Sequence, residues 1–179
     1  FRNHPPHMPV KTPTLSRTKN PRFRPVEGAI VAPRGFRTGG VFCDIKRLGT
    51  GKGSEKGQKR DLALIVSEVP CSVAGLFTTN QVCAAPVKLC VERVAGGTAQ
   101  AVVVNSGNAN ACTGRRGLRD AREMTALAAR ALGLEADQVL VGSTGRIGVQ
   151  LPMPNVRAGT TAVVEVLGST PEHAAHAAE

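Results

Sequence analysis

The stretch AVVVNSGNANACTGRRGLRDAREMTALAARALGLEADQVLVGSTG, residues 101–145, decides the fold class. Ala101-Val-Val-Val104 is a β-branched run, the strongest strand signal in the chain. The polar, Gly-containing Asn105–Asn110 then breaks the pattern. From 117 to 132, Leu118, Ala121, Met124, Leu127, Ala128, Ala131 and Leu132 share one helical face, with Arg119, Arg122, Glu123 and Arg130 opposite. Gly133 is the natural stop for that helix. Gln138–Val141 follows as a strand and leads into Gly142-Ser-Thr-Gly145. Strand, loop, helix, strand, loop is the grammar of an α/β protein, and both loops follow strand C-termini, where such folds place binding groups.

Working outward, Asp61–Val66 is a compact apolar run of a length that suits a strand buried on both faces. Gly28–Ala32 and Gly39–Cys43 are short strand candidates separated by a turn at Pro33–Gly35. Cys71–Phe77 and Val82–Leu89 read as further strand pieces joined by a turn at Thr78–Asn80. Pro154-Asn155 opens a last helix ending at Gly168. Residues 49–60 form a Gly/Lys stretch with no apolar anchor, expected to be exposed and flexible.

The net charge of +10 is concentrated at the front of the chain. Residues 1–60 hold 14 Lys/Arg against Glu27, Asp44 and Glu55, whereas the remaining 9 Lys/Arg face 10 acids. The body is therefore near neutral, which argues against a nucleic-acid-binding face. Residues 1–26 lack acids and are rich in Pro, so a disordered basic extension is expected, with 27–179 as the folded part. An organelle transit peptide is the alternative for this front segment, and a cytoplasmic protein the main expectation. No apolar run reaches the roughly 18 residues a membrane helix needs.

Five cysteines without CxxC pairs or zinc-finger spacing read as free thiols with no metal site. Every His lies near an end of the chain, which removes Cys/His and Ser/His/Asp constellations. The Gly51-Lys52-Gly53 stretch lacks P-loop spacing, so ATP binding is rejected. Cys112 reads either as a nucleophile or, more simply, as a buried inert thiol. Two sites remain. Gly142–Gly145 offers backbone N–H groups and a Thr hydroxyl, the ingredients of an oxyanion hole or merely of a tight turn. Asn105, Asn108 and Asn110 offer neutral amides, suited to a zwitterionic ligand or to their own turn.

Taken together, GAIVAPRGFRTGGVFCDIK (28–46), DLALIVSEVPCSVAGLFTTNQVCAAPV (61–87), AVVVNSGNANACTGRRGL (101–118) and QVLVGSTGRIGVQLPM (138–153) resemble the ornithine acetyltransferase family, also called bifunctional glutamate N-acetyltransferase. The resemblance implies a layered α/β sandwich with sheets enclosed by helices, like that of N-terminal-nucleophile hydrolases. It implies a precursor that cuts itself before a Thr, which then opens a downstream β chain. That Thr carries acetyl from N-acetylornithine to glutamate; some members also use acetyl-CoA, as a substrate rather than a resident cofactor. A heterotetramer of two α and two β chains is implied as well. The family's oxyanion pair falls on Thr144 and Gly145.

Three departures stand out. Arg146 replaces the usual apolar residue, the 49–60 stretch is longer than usual, and the chain ends at Glu179 before the family's nucleophile. A fragment that is inactive alone is therefore expected. The alternative is a noncatalytic binding or assembly module that retains the fold.

Overall fold

The computed structural model describes residues 26–46 and 59–179. The expected basic extension at 1–26, apart from Val26, and most of the expected flexible stretch at 49–60 lie outside those residues.

Four strands form one sheet in the order β1-β2-β3-β4: β1 Phe36–Val41, β2 Leu62–Ser72, β3 Thr98–Asn108 and β4 Val139–Arg146. The first three make an antiparallel meander, and β4 joins β3 in parallel, as an edge strand. The helices are α1 Ala85–Val94, α2 Gly114–Leu132, α3 Met153–Glu165 and α4 Pro171–Ala178. A parallel pair needs a crossover, and α2 supplies it between β3 and β4.

Side chains alternate across each strand, so one face carries Leu62, Leu64, Ala101, Val103, Val139 and Val141, all buried. These pack with Leu89 of α1, Ala121, Met124 and Ala128 of α2, and Val156 and Val163 of α3. With no Trp or Tyr, small aliphatic residues fill this layer. Truncating fully buried Met124 to Ala would cost about 2–5 kcal/mol. On the opposite face α4 packs on β1 and part of β2. A Cβ added at Gly40 would sit 2.1 Å from the carbonyl oxygen of His176, so Gly40 lets that helix approach the sheet. The layered α/β arrangement expected from the sequence is thus present, with helices on both faces of the sheet.

Several elements differ from expectation. Val82–Leu89 is not a strand: Pro86 starts α1, and Ala85, Pro86, Leu89 and Cys90 are buried at helical spacing. Cys71–Phe77 is strand only through Ser72, and 73–84 has no regular structure. Gly28–Ala32 is no strand either, because Ala29–Val31 forms a 3-10 turn. β2 is buried on one face rather than two, with Ala63 and Ile65 half-buried on the other. α3 ends at Glu165, and Gly168 instead pairs with Thr38 beside β1. Gly133 does stop α2, at φ +70, and its N–H donates to the Ala129 and Arg130 carbonyls.

Both expected post-strand loops are continuations of strand. The ladder runs through Asn105↔Ser143, Ser106↔Thr144, Gly107↔Gly145 and Asn108↔Arg146. Polar and Gly residues looked like breakers, yet pairing satisfies their backbone groups and the side chains find buried partners.

Candidate active site

The far ends of β3 and β4 lie against each other more closely than ordinary residues allow. Gly107 has φ +105 and Gly145 has φ +131, both in territory that favours glycine. A Cβ on Gly145 would stand 2.3 Å from the Gly107 carbonyl carbon and 2.6 Å from the Asn108 nitrogen.

Successive strand residues turn their backbone groups to opposite edges. Ala109 N–H donates to the Arg146 carbonyl at 2.9 Å, so Arg146 faces β3. By that alternation Thr144 also faces β3, with its N–H in the ladder, and Gly145 turns its N–H to the free edge of the sheet. The sequence led us to expect a bend with converging amides. The strand corrects this: Thr144 offers a ligand its hydroxyl, and Gly145 offers the amide turned away from β3. Both residues are exposed, as is neighbouring Arg146.

Thr144 borders a cavity of about 210 Å³ on the sheet face that α4 partly covers. Ala63, Val104 and Ser106 contribute to its floor, Arg60 and Asp61 to its rim, and the last turn of α4 to its far wall. Arg60 Nη1 donates to Glu179 Oε2 at 2.5 Å, and this bond holds the Glu179 carboxyl below the ordinary carboxylate range. Lys46 Nζ donates to the Arg60 carbonyl at 2.8 Å. The rim therefore already holds a carboxylate on a guanidinium.

Asp61 shapes the opposite bank. Its carboxylate, 2 % exposed, accepts from the backbone N–H groups of Cys43 at 2.8 Å, Ile45 at 2.7 Å and Lys46 at 3.0 Å. Burial, reinforced by the Asp61 charge, pushes the Cys43 thiol far up, which keeps it protonated and inert. The sequence had not singled out Arg60, Asp61 or Lys46. The one available signal was that Asp61 directly precedes an apolar strand, where a carboxylate needs partners.

Asn105, Asn108 and Asn110 are all 0 % exposed, and each is bonded inside the protein. Asn105 Nδ2 donates to the Asn108 carbonyl at 2.9 Å, and its Oδ1 accepts from Ser143 Oγ at 2.6 Å. Asn108 Nδ2 donates to the carbonyls of Val149 at 3.0 Å and Gln150 at 3.2 Å. Asn110 Nδ2 donates to the Gly117 carbonyl at 2.8 Å, and its Oδ1 accepts from Thr113 Oγ1 at 2.7 Å. Only Asn105 adjoins the cavity. This trio ties β3, β4, the α2 entry and the Val149–Gln150 segment into one unit that holds Thr144 and Gly145 in place. Cys112, expected to be buried, is exposed.

Among the described residues no cluster of three or more His, Cys, Asp or Glu could hold a metal, and no helix is long and apolar enough to cross a membrane.

A model of the ArgJ family matches residues 42–179. The arginine biosynthesis bifunctional protein ArgJ of Symbiobacterium thermophilum is 52 % identical over 152 residues, which cover 85 % of this chain and 36 % of the relative. That of Geobacter sulfurreducens is 52 % identical over 136 residues, covering 76 % and 32 %. The chain thus spans about a third of the length of these relatives. Among solved structures, the Mycobacterium tuberculosis ornithine acetyltransferase complexed with ornithine superposes with a TM-score of 0.76 at 38 % identity, over 85 % of this chain and 77 % of that one. The Bacillus halodurans ArgJ protein gives 0.74 at 39 % identity, over 83 % and 72 %.

Proposed function

The chain belongs to the ArgJ family, and on that premise we propose that it is the amino-terminal, α-chain portion of an arginine-biosynthetic acetyltransferase. The enzyme moves acetyl from N-acetylornithine to glutamate, through an acetyl-threonine carried on a downstream β chain. In this reading the Thr oxygen attacks the acetyl carbonyl carbon, the C–N bond breaks, and ornithine leaves with a proton. The glutamate amine then attacks the acetyl ester and restores the Thr hydroxyl. Splitting the transfer in two replaces one hard step with two easier ones.

In both steps the carbonyl oxygen gains negative charge, and donors already aimed at it lower the barrier. Thr144 and Gly145 are the pair this chain supplies. What supports the assignment is the register of β4, which turns the Gly145 amide away from β3 next to Thr144, the residue of the pair that borders the cavity. Arg60, which already binds a carboxylate at the rim, supplies charge of the sign that substrate carboxylates require. Arg146, exposed one residue on, stands close enough to the pair to influence the choice of acceptor.

The test is made on this chain assembled with the rest of the enzyme. Incubation with N-acetylornithine should leave a threonine heavier by one acetyl group, discharged by glutamate. Acetyl-CoA as donor asks the same of the second substrate class, and light scattering asks whether two α and two β chains assemble. No acetylated threonine with either donor would defeat the reading.

A further inference from the structure

We infer that Cys83 and Cys112 form a redox-sensitive thiol pair, with Cys112 the residue that small disulfides modify and Cys83 the residue that resolves the adduct. Both thiols line one cavity of about 370 Å³ between the start of α1 and the start of α2. Ala85 N–H donates to the Asn110 carbonyl at 3.1 Å. Two residues back from Ala85 is Cys83, and two residues on from Asn110 is Cys112, so this bond draws the two cysteine-bearing stretches together. Residues 73–84 have no regular secondary structure, so Cys83 approaches Cys112 without breaking a ladder. A disulfide needs Cα atoms within roughly 7 Å, a separation that residues lining one cavity reach by movement of the 73–84 segment.

The other three thiols are engaged elsewhere. Cys90 Sγ donates to the Val141 carbonyl at 3.2 Å inside the core. Cys71 Sγ lies 3.1 Å from Ser67 Oγ. Cys43 sits beside the buried Asp61 carboxylate. Cys112 is exposed and Cys83 half-buried, and among the described residues neither sulfur has a hydrogen-bond partner.

Lys88 and Arg115 line the same cavity, and no acid does. That charge suits an anionic oxidant such as glutathione disulfide, which carries carboxylates. The Cys112 thiolate attacks one sulfur of glutathione disulfide, the S–S bond breaks, and one glutathione thiolate leaves. The Cys83 thiolate then attacks the Cys112 sulfur, and the second glutathione leaves. The net change is two protein thiols and one glutathione disulfide converted to one protein disulfide and two glutathiones.

The experiment treats reduced, purified protein with glutathione disulfide, alkylates the remaining thiols and maps peptides by mass spectrometry. The inference expects a Cys83–Cys112 cross-link with Cys43, Cys71 and Cys90 alkylated. Cys83→Ser should arrest at a stable glutathione adduct on Cys112, and Cys112→Ser should give neither species, with far-UV circular dichroism unchanged in both. The inference falls if both cysteines stay fully alkylated, if Cys112 bridges another cysteine, or if the Cys83→Ser adduct does not accumulate. These readouts are independent of acetyl transfer.

Discussion

Gly145 of β4 rests against Gly107 of β3 with no room for a methyl group, since a Cβ there would meet backbone at 2.3 Å. Backbone cannot swing aside as a side chain does, and Gly145 also holds φ +131. Gly145→Ala should therefore push the two strand ends apart and misdirect its own outward amide. The expected result is a loss of about 1–3 kcal/mol in denaturant unfolding, as for overpacking at a tight contact. Acetyl transfer should drop by more than Thr144→Ala alone causes. A variant with wild-type stability and activity would show that the contact does not constrain the site.

Thr144 gives the contrasting case. Its side chain is exposed and makes no hydrogen bond among the described residues, so Thr144→Ala should leave the unfolding midpoint within experimental error. In the assembled enzyme kcat should fall by about 10²–10³, the usual loss for one oxyanion donor. Thr144→Ser keeps the hydroxyl and should recover most of it. An unchanged kcat in Thr144→Ala would remove the residue from the chemistry.

Asp61 anchors the chain on the other side of the cavity. Three backbone N–H groups converge on one buried carboxylate, and hydrogen bonds to charged groups contribute about 1.5–3 kcal/mol each. Asp61→Ala leaves those donors unsatisfied and should cost at least about 3 kcal/mol, read as a lower urea midpoint. Asp61→Asn keeps the shape but has one acceptor oxygen instead of two, and should fall between wild type and Asp61→Ala.

How much of this was legible beforehand depended on whether a residue's state is set locally. The α2 stripe and its Gly133 stop are local facts of spacing and φ, and they were readable. The run at Val82–Leu89 was not, because its Val and Cys residues fit either element and burial against β4 and α2 selects the helix. Asn105, Ser106 and Asn108 look like loop residues until the partner strand is known; only the tertiary ladder makes them strand. The assignment of Thr144 and Gly145 came through family likeness, whereas the direction of the Gly145 amide needed register. Asp61 and Arg60 went unseen because their partners, Cys43–Lys46 and Glu179, are distant in sequence or at the end of the chain.

The pH dependence of stability should carry a signature from Asp120. This carboxyl lies on α2, 6 % exposed, and among the described residues its Oδ2 has no hydrogen-bond partner. Burial raises its pKa above the ordinary carboxylate value, and Arg116, whose Nε is 3.8 Å from Oδ2, opposes that only in part. A raised pKa means the folded chain binds the proton more tightly than the unfolded chain does. Asp120 therefore favours folding while protonated in both states. That advantage is lost as pH rises from the unfolded carboxylate value through the raised folded one. At neutral pH the ionised group is a net cost, so Asp120→Asn should raise the melting temperature there and lose its advantage as the medium is acidified below the ordinary carboxylate range. Melting curves of the two proteins at closely spaced pH values decide it. A difference that stays constant across that window would mean that Arg116 just offsets burial, and one that grows on acidification would mean that Arg116 outweighs burial and the Asp120 carboxylate stabilises the fold.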